Sequence, residues 1–129
     1  MLQQFALFTL VGGAGFVVDA GVLLLLIHFV GIDVYVSRLL SWLVAATFTW
    51  WLNRTLTFRY QGGSLLRQWL MFLAANSGGG LINIGISSAL IVMSLTPVAA
   101  VACGSLAGLL WNFLASRRFV FRRRASHLE

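Results

Sequence analysis

Four apolar runs dominate this chain, covering about residues 5–30, 36–53, 68–94 and 98–115. A bilayer core about 30 Å thick takes roughly 20 helical residues, so each run has the length of a membrane span. Lipid offers no hydrogen bonds to open backbone, so such runs must stay helical. The balance of residue types agrees, with 60% apolar and 9% charged. An ordinary soluble domain carries about 25% charged residues, and 129 residues could not hide so much apolar surface. The expected fold is an all-α integral membrane domain over residues 1–129 with four transmembrane helices. A secretory signal peptide is the competing reading of the first run. It needs a basic leader, and Met1-Leu2-Gln3-Gln4 has no side-chain cation. Residues 125–129 form a tail, and its Leu128-Glu129 resembles a cloning-site remnant.

Two stretches after long apolar runs share a pattern. Asn53-Arg54-Thr55-Leu56-Thr57-Phe58-Arg59 and Ser116-Arg117-Arg118-Phe119-Val120-Phe121-Arg122 both keep Arg-x-x-x-Phe-Arg, 63 residues apart. At the same offset Ser37, Ser41, Ala45, Thr49 and Asn53 fall on Ala100, Gly104, Gly108, Asn112 and Ser116. Both series hold small or small-polar residues at i, i+4 spacing, one face of a helix. Such ladders let backbones approach closely in lipid. Ala75, Gly79, Asn83 and Ser87 make a third row, so Ala75-Asn76-Ser77-Gly78-Gly79-Gly80 is expected to be helix rather than loop. The chain reads as two copies of a two-helix unit.

The charges set the orientation. There are nine arginines and no lysine, and eight of the nine lie between 54 and 67 or after 116. Gly31-Ile32-Asp33-Val34, followed by Tyr35, and Thr96-Pro97 are short turns without cations. The positive-inside rule then places both termini and the middle connection in the cytoplasm, with two repeats inserted in the same direction. The net charge of +6 does not indicate nucleic acid, because the arginines border apolar runs and form no basic face. Anchoring to anionic lipid suits them, at about 1 kcal/mol each. Cys103, the single cysteine, reads as a small buried packing residue, and His28 and His127 have no partner ligands at useful spacing, so no metal site is expected.

The candidate polar residues are few. Asp19 lies about mid-span in the first run, where an acid costs roughly 2.5–3.5 kcal/mol. Intramembrane acids of this kind face a cavity or a partner. At the 63-residue offset its counterpart is Ile82, with Asn83 adjacent. Arg38 is its candidate partner, about 12 Å away in depth at 1.5 Å per residue. The alternative is that Arg38 snorkels to the outer headgroups. Thr49, Asn53, Asn112 and Ser116 converge just inside the basic edge. Arg54, Arg59, Arg117 and Arg122 suffice as topology signals. A guanidinium also pairs bidentately with phosphate, and beside Trp50, Trp51 and Trp111 these arginines could clamp a phosphate while an aromatic face meets a sugar ring. No hydrolytic constellation and no phosphate-cradling loop is present, and Gly12-Gly13-Ala14-Gly15 lacks a strand–turn–helix setting.

The chain resembles the GtrA-like family of small membrane proteins. The resemblance rests on Phe8-Thr9-Leu10-Val11-Gly12-Gly13-Ala14-Gly15-Phe16-Val17-Val18-Asp19, on Trp51-Leu52-Asn53-Arg54-Thr55-Leu56-Thr57-Phe58-Arg59, and on Asn112-Phe113-Leu114-Ala115-Ser116-Arg117-Arg118-Phe119-Val120-Phe121-Arg122. It covers about residues 5–123. It implies a bacterial inner-membrane protein with four helices that transfers polyprenyl-phosphate-linked monosaccharides for modification of cell-surface polysaccharide. It also implies membrane glycosyltransferases as partners. Ser116 departs from the usual Asn of the family, and Gln3-Gln4 from a common basic residue.

The expected activity is therefore that of a lipid-linked-sugar flippase without cofactor, not an enzyme. Arg54, Arg59, Arg117 and Arg122 would meet the phosphate. Asp19, Asn53, Asn76, Asn83, Asn112, Trp50, Trp51 and Trp111 would form the polar seam for the sugar. The ladders also allow a homodimer. Two rival readings are a non-transporting subunit that docks a glycosyltransferase and a small proton-coupled multidrug exporter.

Overall fold

The computed structural model describes residues 1–122, all helix and short connections. Arg123, Arg124, His127 and the 125–129 tail lie outside the described residues. Helix α1 runs Leu2–Leu25 and continues as a five-residue π turn, Leu26–Val30. Helix α2 runs Val34–Leu52 and continues as a π turn, Asn53–Thr57. Helix α3 runs Leu65–Val92. Helix α4 runs Pro97–Ala115 and ends in a third π turn, Ser116–Val120. The chain divides into two compact units, Met1–Gln61 with α1 and α2, and Gly62–Glu129 with α3 and α4.

The helix ends follow from a few side chains. Asp33 caps α2, its Oδ2 accepting from the backbone N–H of Tyr35 at 2.9 Å and of Val36 at 3.2 Å. Ser64 caps α3 by accepting from Arg67 N–H at 3.4 Å. Pro97 occupies the first position of α4, where its missing N–H costs nothing. Gly31, φ 76, turns the chain out of α1 in the left-handed region that suits glycine. Ser94, φ 69, does the same after α3.

Each unit is a helical hairpin packed through small residues. In the first, Ser37 and Ser41 are fully buried beside Ala45 and Ala46, and a Cβ added at Gly15 would run into Thr49 Cγ2. In the second, Ala100, Gly104 and Gly108 are buried. A Cβ added at Gly108 would lie 2.6 Å from the carbonyl oxygen of Gly79, and one at Gly79 would meet the Asn112 amide. Large apolar residues point the other way: Phe16, Phe29, Val92 and Val98 are exposed. Toward the basic ends large rings are buried too, Phe8 with Phe58 and Phe72 with Phe121, but midway along each hairpin small and polar inside, large and apolar outside inverts the soluble pattern. It is what lipid demands.

Helices α2 and α4 end at Leu52 and Ala115, close to the ends of the second and fourth runs, and π turns then continue them to Thr57 and Val120. Other expectations need correction. Cys103 is exposed rather than buried, because it sits one position off the Ala100–Gly104–Gly108 face. Among the described residues, three helices are long and apolar enough to cross a membrane: Leu2–Val30, Leu65–Val92 and Pro97–Val120. Helix α2 is not among them, its apolar character diluted by Arg38, Ser37, Ser41, Thr47 and Thr49.

The offset between the first helices of the two units also changes. Helices α2 and α4 start 63 residues apart, at Val34 and Pro97, and end 63 apart, at Leu52 and Ala115. Phe8 meets Phe58 with centroids 6.2 Å apart, and Phe72 meets Phe121 at 6.2 Å. Gly15 abuts Thr49 and Gly79 abuts Asn112. Phe8 and Phe72, like Gly15 and Gly79, are 64 apart, while their partners are 63 apart. The counterpart of Asp19 is thus Asn83, not Ile82, and that of Gln4 is Gln68. The left-handed residues Gly31 and Ser94 return to an offset of 63, so one extra residue lies between Gly15 and Gly31. The π turn Leu26–Val30 falls there, and α3 has no such turn. A π turn closes i→i+5 and so takes up one added residue.

Close approach at Gly108 is therefore directional. Gly108→Ala faces a backbone carbonyl that cannot swing away, and should lower stability in detergent by about 1–3 kcal/mol. Gly12→Ala and Gly80→Ala, with no atom within 4 Å of the added Cβ, should leave it unchanged or slightly raised. Thermal unfolding followed by circular dichroism separates the two cases.

Candidate functional site

Each hairpin carries polar groups in two places, at the end closed by the basic motif and along the seam between its helices. In the first unit the basic end is built on the π turn Asn53–Thr57. Its backbone closes through Phe58 N–H to Asn53 O at 2.9 Å and Tyr60 N–H to Arg54 O at 2.8 Å. Asn53 and Thr57 are buried, and the Thr57 hydroxyl donates to Asn53 Oδ1 at 2.8 Å. Phe58 is buried against Phe8. Arg54 is half-buried with its guanidinium carbon 5.6 Å from the centroid of the Tyr60 ring, a cation–π distance. Arg59 is exposed at φ 46. One turn deeper, Trp50 is buried with its indole N–H unpartnered, while Trp51 beside it is half exposed.

The second unit repeats the arrangement with altered chemistry. Phe121 N–H donates to Ser116 O at 2.8 Å, and Phe121 packs on Phe72. Arg117, Arg118 and Arg122 are exposed. Ser116 and Val120 stand where the first unit has Asn53 and Thr57. Valine has no hydroxyl to give, so the fully buried Ser116 Oγ has no partner. Asn112 Oδ1, one turn deeper against Gly79, is also buried and unpartnered.

Along the seam the units differ more. In the first, Arg38 Nη1 donates to Asp19 Oδ2 at 2.6 Å. The pairing thus forms despite the depth difference, because the long arginine arm spans the offset. Asp19 Oδ1 is buried without a partner. In the second, the corresponding Asn83 donates to Ser105 Oγ at 3.4 Å and accepts from Ser87 Oγ at 3.0 Å. Trp111 Nε1 donates to Ala75 O at 3.1 Å and lies over Gly78. Asn76 turns to its own helix, donating to Phe72 O at 3.0 Å.

Asn83 and Asn112 thus lie on one helix seam, Trp111 bridges the same two helices, and Asn76 bonds away from it. Ser87, on the third small-residue row, belongs to these networks, as do Thr57, Ser105 and the buried Gln68, which donates to Gly62 O at 2.8 Å and which, like Thr57 and Ser105, was not singled out from the sequence. The signal for Gln68 was its match to Gln4, visible only at an offset of 64.

Buried polar ladders inside, apolar residues outside and arginines at the helix ends define a multi-pass helical membrane protein. Residues 7–121 match the family model described as GtrA/DPMS, transmembrane domain. The chain belongs to this family. No curated protein matches its sequence.

The Asp19–Arg38 pair is unequal, with the Arg38 side chain 58% exposed and that of Asp19 16% exposed. Arg38→Gln strands a covered carboxylate and should cost about 1–3 kcal/mol. Asp19→Asn frees an exposed arginine and should cost less, and the double variant should recover part of the loss. Unfolding midpoints of the three variants in one detergent check this order.

Proposed function

We propose that this protein is a transporter rather than an enzyme, a flippase that moves polyprenyl-phosphate-linked monosaccharide from the cytoplasmic to the outer leaflet of a bacterial inner membrane. The observation that carries the reading is the construction of the two basic ends. In each hairpin a π turn buries the aromatic and small-polar residues of the motif and leaves its arginines at the rim. Within about a turn lie buried polar atoms without partners: Trp50 Nε1 in one unit, Asn112 Oδ1 and Ser116 Oγ in the other. Buried polar atoms are nearly always satisfied, so groups left open beneath a rim of guanidinium suit a ligand with phosphate and hydroxyl oxygens.

In this reading all four helices span the membrane, the two hairpins insert in the same direction, and both termini are cytoplasmic. Arg54 and Arg59 in the first hairpin, and Arg117 and Arg122 in the second, each form a rim that can hold a phosphate at the cytoplasmic edge. Trp51 and Trp111, both partly exposed, offer ring faces to the sugar. As the headgroup passes, Asp19 and Asn53 supply seam hydrogen bonds in the first hairpin, with Trp50 beside them, and Asn83 and Asn112 do so in the second, with Asn76 beside them. The prenyl tail stays in lipid, so only the headgroup needs a path. Anionic lipids at the rim and a membrane glycosyltransferase that makes the cargo are the partners.

The test is reconstitution in liposomes containing a polyprenyl-phosphate-hexose, with a membrane-impermeant oxidant reporting sugar in the outer leaflet over time. Leaflet exchange should accelerate, and Arg54→Ala combined with Arg117→Ala should slow it about tenfold or more, the loss of at least one charge-assisted bond. No acceleration, together with co-purification of a glycosyltransferase, would replace this reading with an accessory subunit. Proton-coupled efflux of a cationic dye would replace it with a multidrug exporter.

A further inference from the structure

Arg38 stands about one turn inside the Val34 end of α2, the end opposite Arg54 and Arg59. Its one side-chain bond among the described residues is the 2.6 Å contact from Nη1 to Asp19 Oδ2. A guanidinium presents five N–H donors in a planar fork and favours two-point contact with an oxyanion. Here both sides of the pair are incomplete. The carboxylate keeps a buried oxygen, Oδ1, with no donor. The arginine side chain is 58% exposed, so the rest of its fork is open.

The second hairpin shows that charge is not needed to close the seam at this depth. There Asn83 stands for Asp19 and Val101 for Arg38, and Asn83 is satisfied by Ser105 and Ser87. A charged pair with one-point contact and unused donors has the form of an occupied anion site.

We propose that Arg38 is a second phosphate-binding residue, at the hairpin end away from the basic motif, and that Asp19 is the internal anion that occupies it between ligands. An arriving phosphate offers two oxygens to the fork and displaces the one-point carboxylate. The returning carboxylate displaces the phosphate in turn, so the site captures weakly and releases readily. The inference rests on the proposed function only for the carrier of the phosphate, a prenyl lipid.

The purified full chain in detergent serves for the test, with inorganic phosphate and a short-chain prenyl phosphate as separate probes. In wild-type protein either probe should slow modification of Arg38 by phenylglyoxal, read by peptide mass spectrometry. Protection by the prenyl phosphate alone identifies a lipid headgroup as the ligand, and equal protection by both identifies the free anion as sufficient. Asp19→Asn should tighten phosphate binding about tenfold, because the competing carboxylate is gone. Asp19→Asn with Arg38→Gln should lose that gain. Unprotected Arg38, or a double variant that binds as tightly as Asp19→Asn, overturns the proposal. The outcome is separable from the flippase reading. Exchange by wild-type liposomes with Arg38 unprotected leaves the function and removes this site. Protection without exchange does the reverse.

Discussion

Helices in lipid gain nothing from hiding apolar surface against one another, because the tails outside are as apolar as leucine. Everything else here depends on how the chain answers that constraint. It brings backbones close enough for dispersion and weak polar contacts to act. The Gly79 carbonyl lies against Gly108, and Thr49 against Gly15. Removing side-chain volume from the seams moves the bulky residues to the outside, where lipid takes them. It also lets short polar groups such as Ser37, Ser41 and Ser87 be buried without opening the helix. The Ser41 hydroxyl donates to the Arg38 carbonyl of its own helix at 3.1 Å, satisfying itself locally.

The basic motifs extend the same economy to the helix ends. A plain α-helical end would leave four carbonyls open. The π turns at Asn53–Thr57 and Ser116–Val120 draw the following phenylalanine N–H back onto the chain and fold its ring onto the neighbouring helix. The arginines are thereby fixed at a rim rather than carried on a loose connection. The substitution of Asn53 and Thr57 by Ser116 and Val120 changes the buried layer while leaving the turn intact, so the two rims share a shape and differ in hydrogen-bonding capacity.

Much of this was legible in the sequence, for a physical reason. Small residues every four positions have one use on an apolar helix, and the Ser37 to Asn53 and Ala100 to Ser116 rows contain the buried seam residues the structure shows. The arginine placement and the Arg-x-x-x-Phe-Arg spacing were equally plain. What stayed hidden involves residues out of α-helical step. A fixed offset of 63 cannot reveal the residue absorbed by the π turn at Leu26–Val30, so Asp19 was set against Ile82 and Gln68 went unnoticed. The Asp19–Arg38 contact depends on side-chain reach, which counting residues along a helix does not measure. Trp111 bonding to Ala75 O depends on the absence of a side chain at Gly78, a coincidence of facing helices that no single segment encodes.

The π turn at Leu26–Val30 has one more consequence. An added residue in an α-helix normally rotates everything beyond it by about 100°. Here the turn absorbs the slip before Gly31, so the cap at Asp33 and all of α2 keep the places held by Thr96 and α4 in the other hairpin. The added residue therefore distinguishes the halves in their first helices alone. Two segments with matched second helices and unmatched first ones are not interchangeable, and a chain built from two copies of either half would lack the other's way of filling the seam, charged in one and neutral in the other.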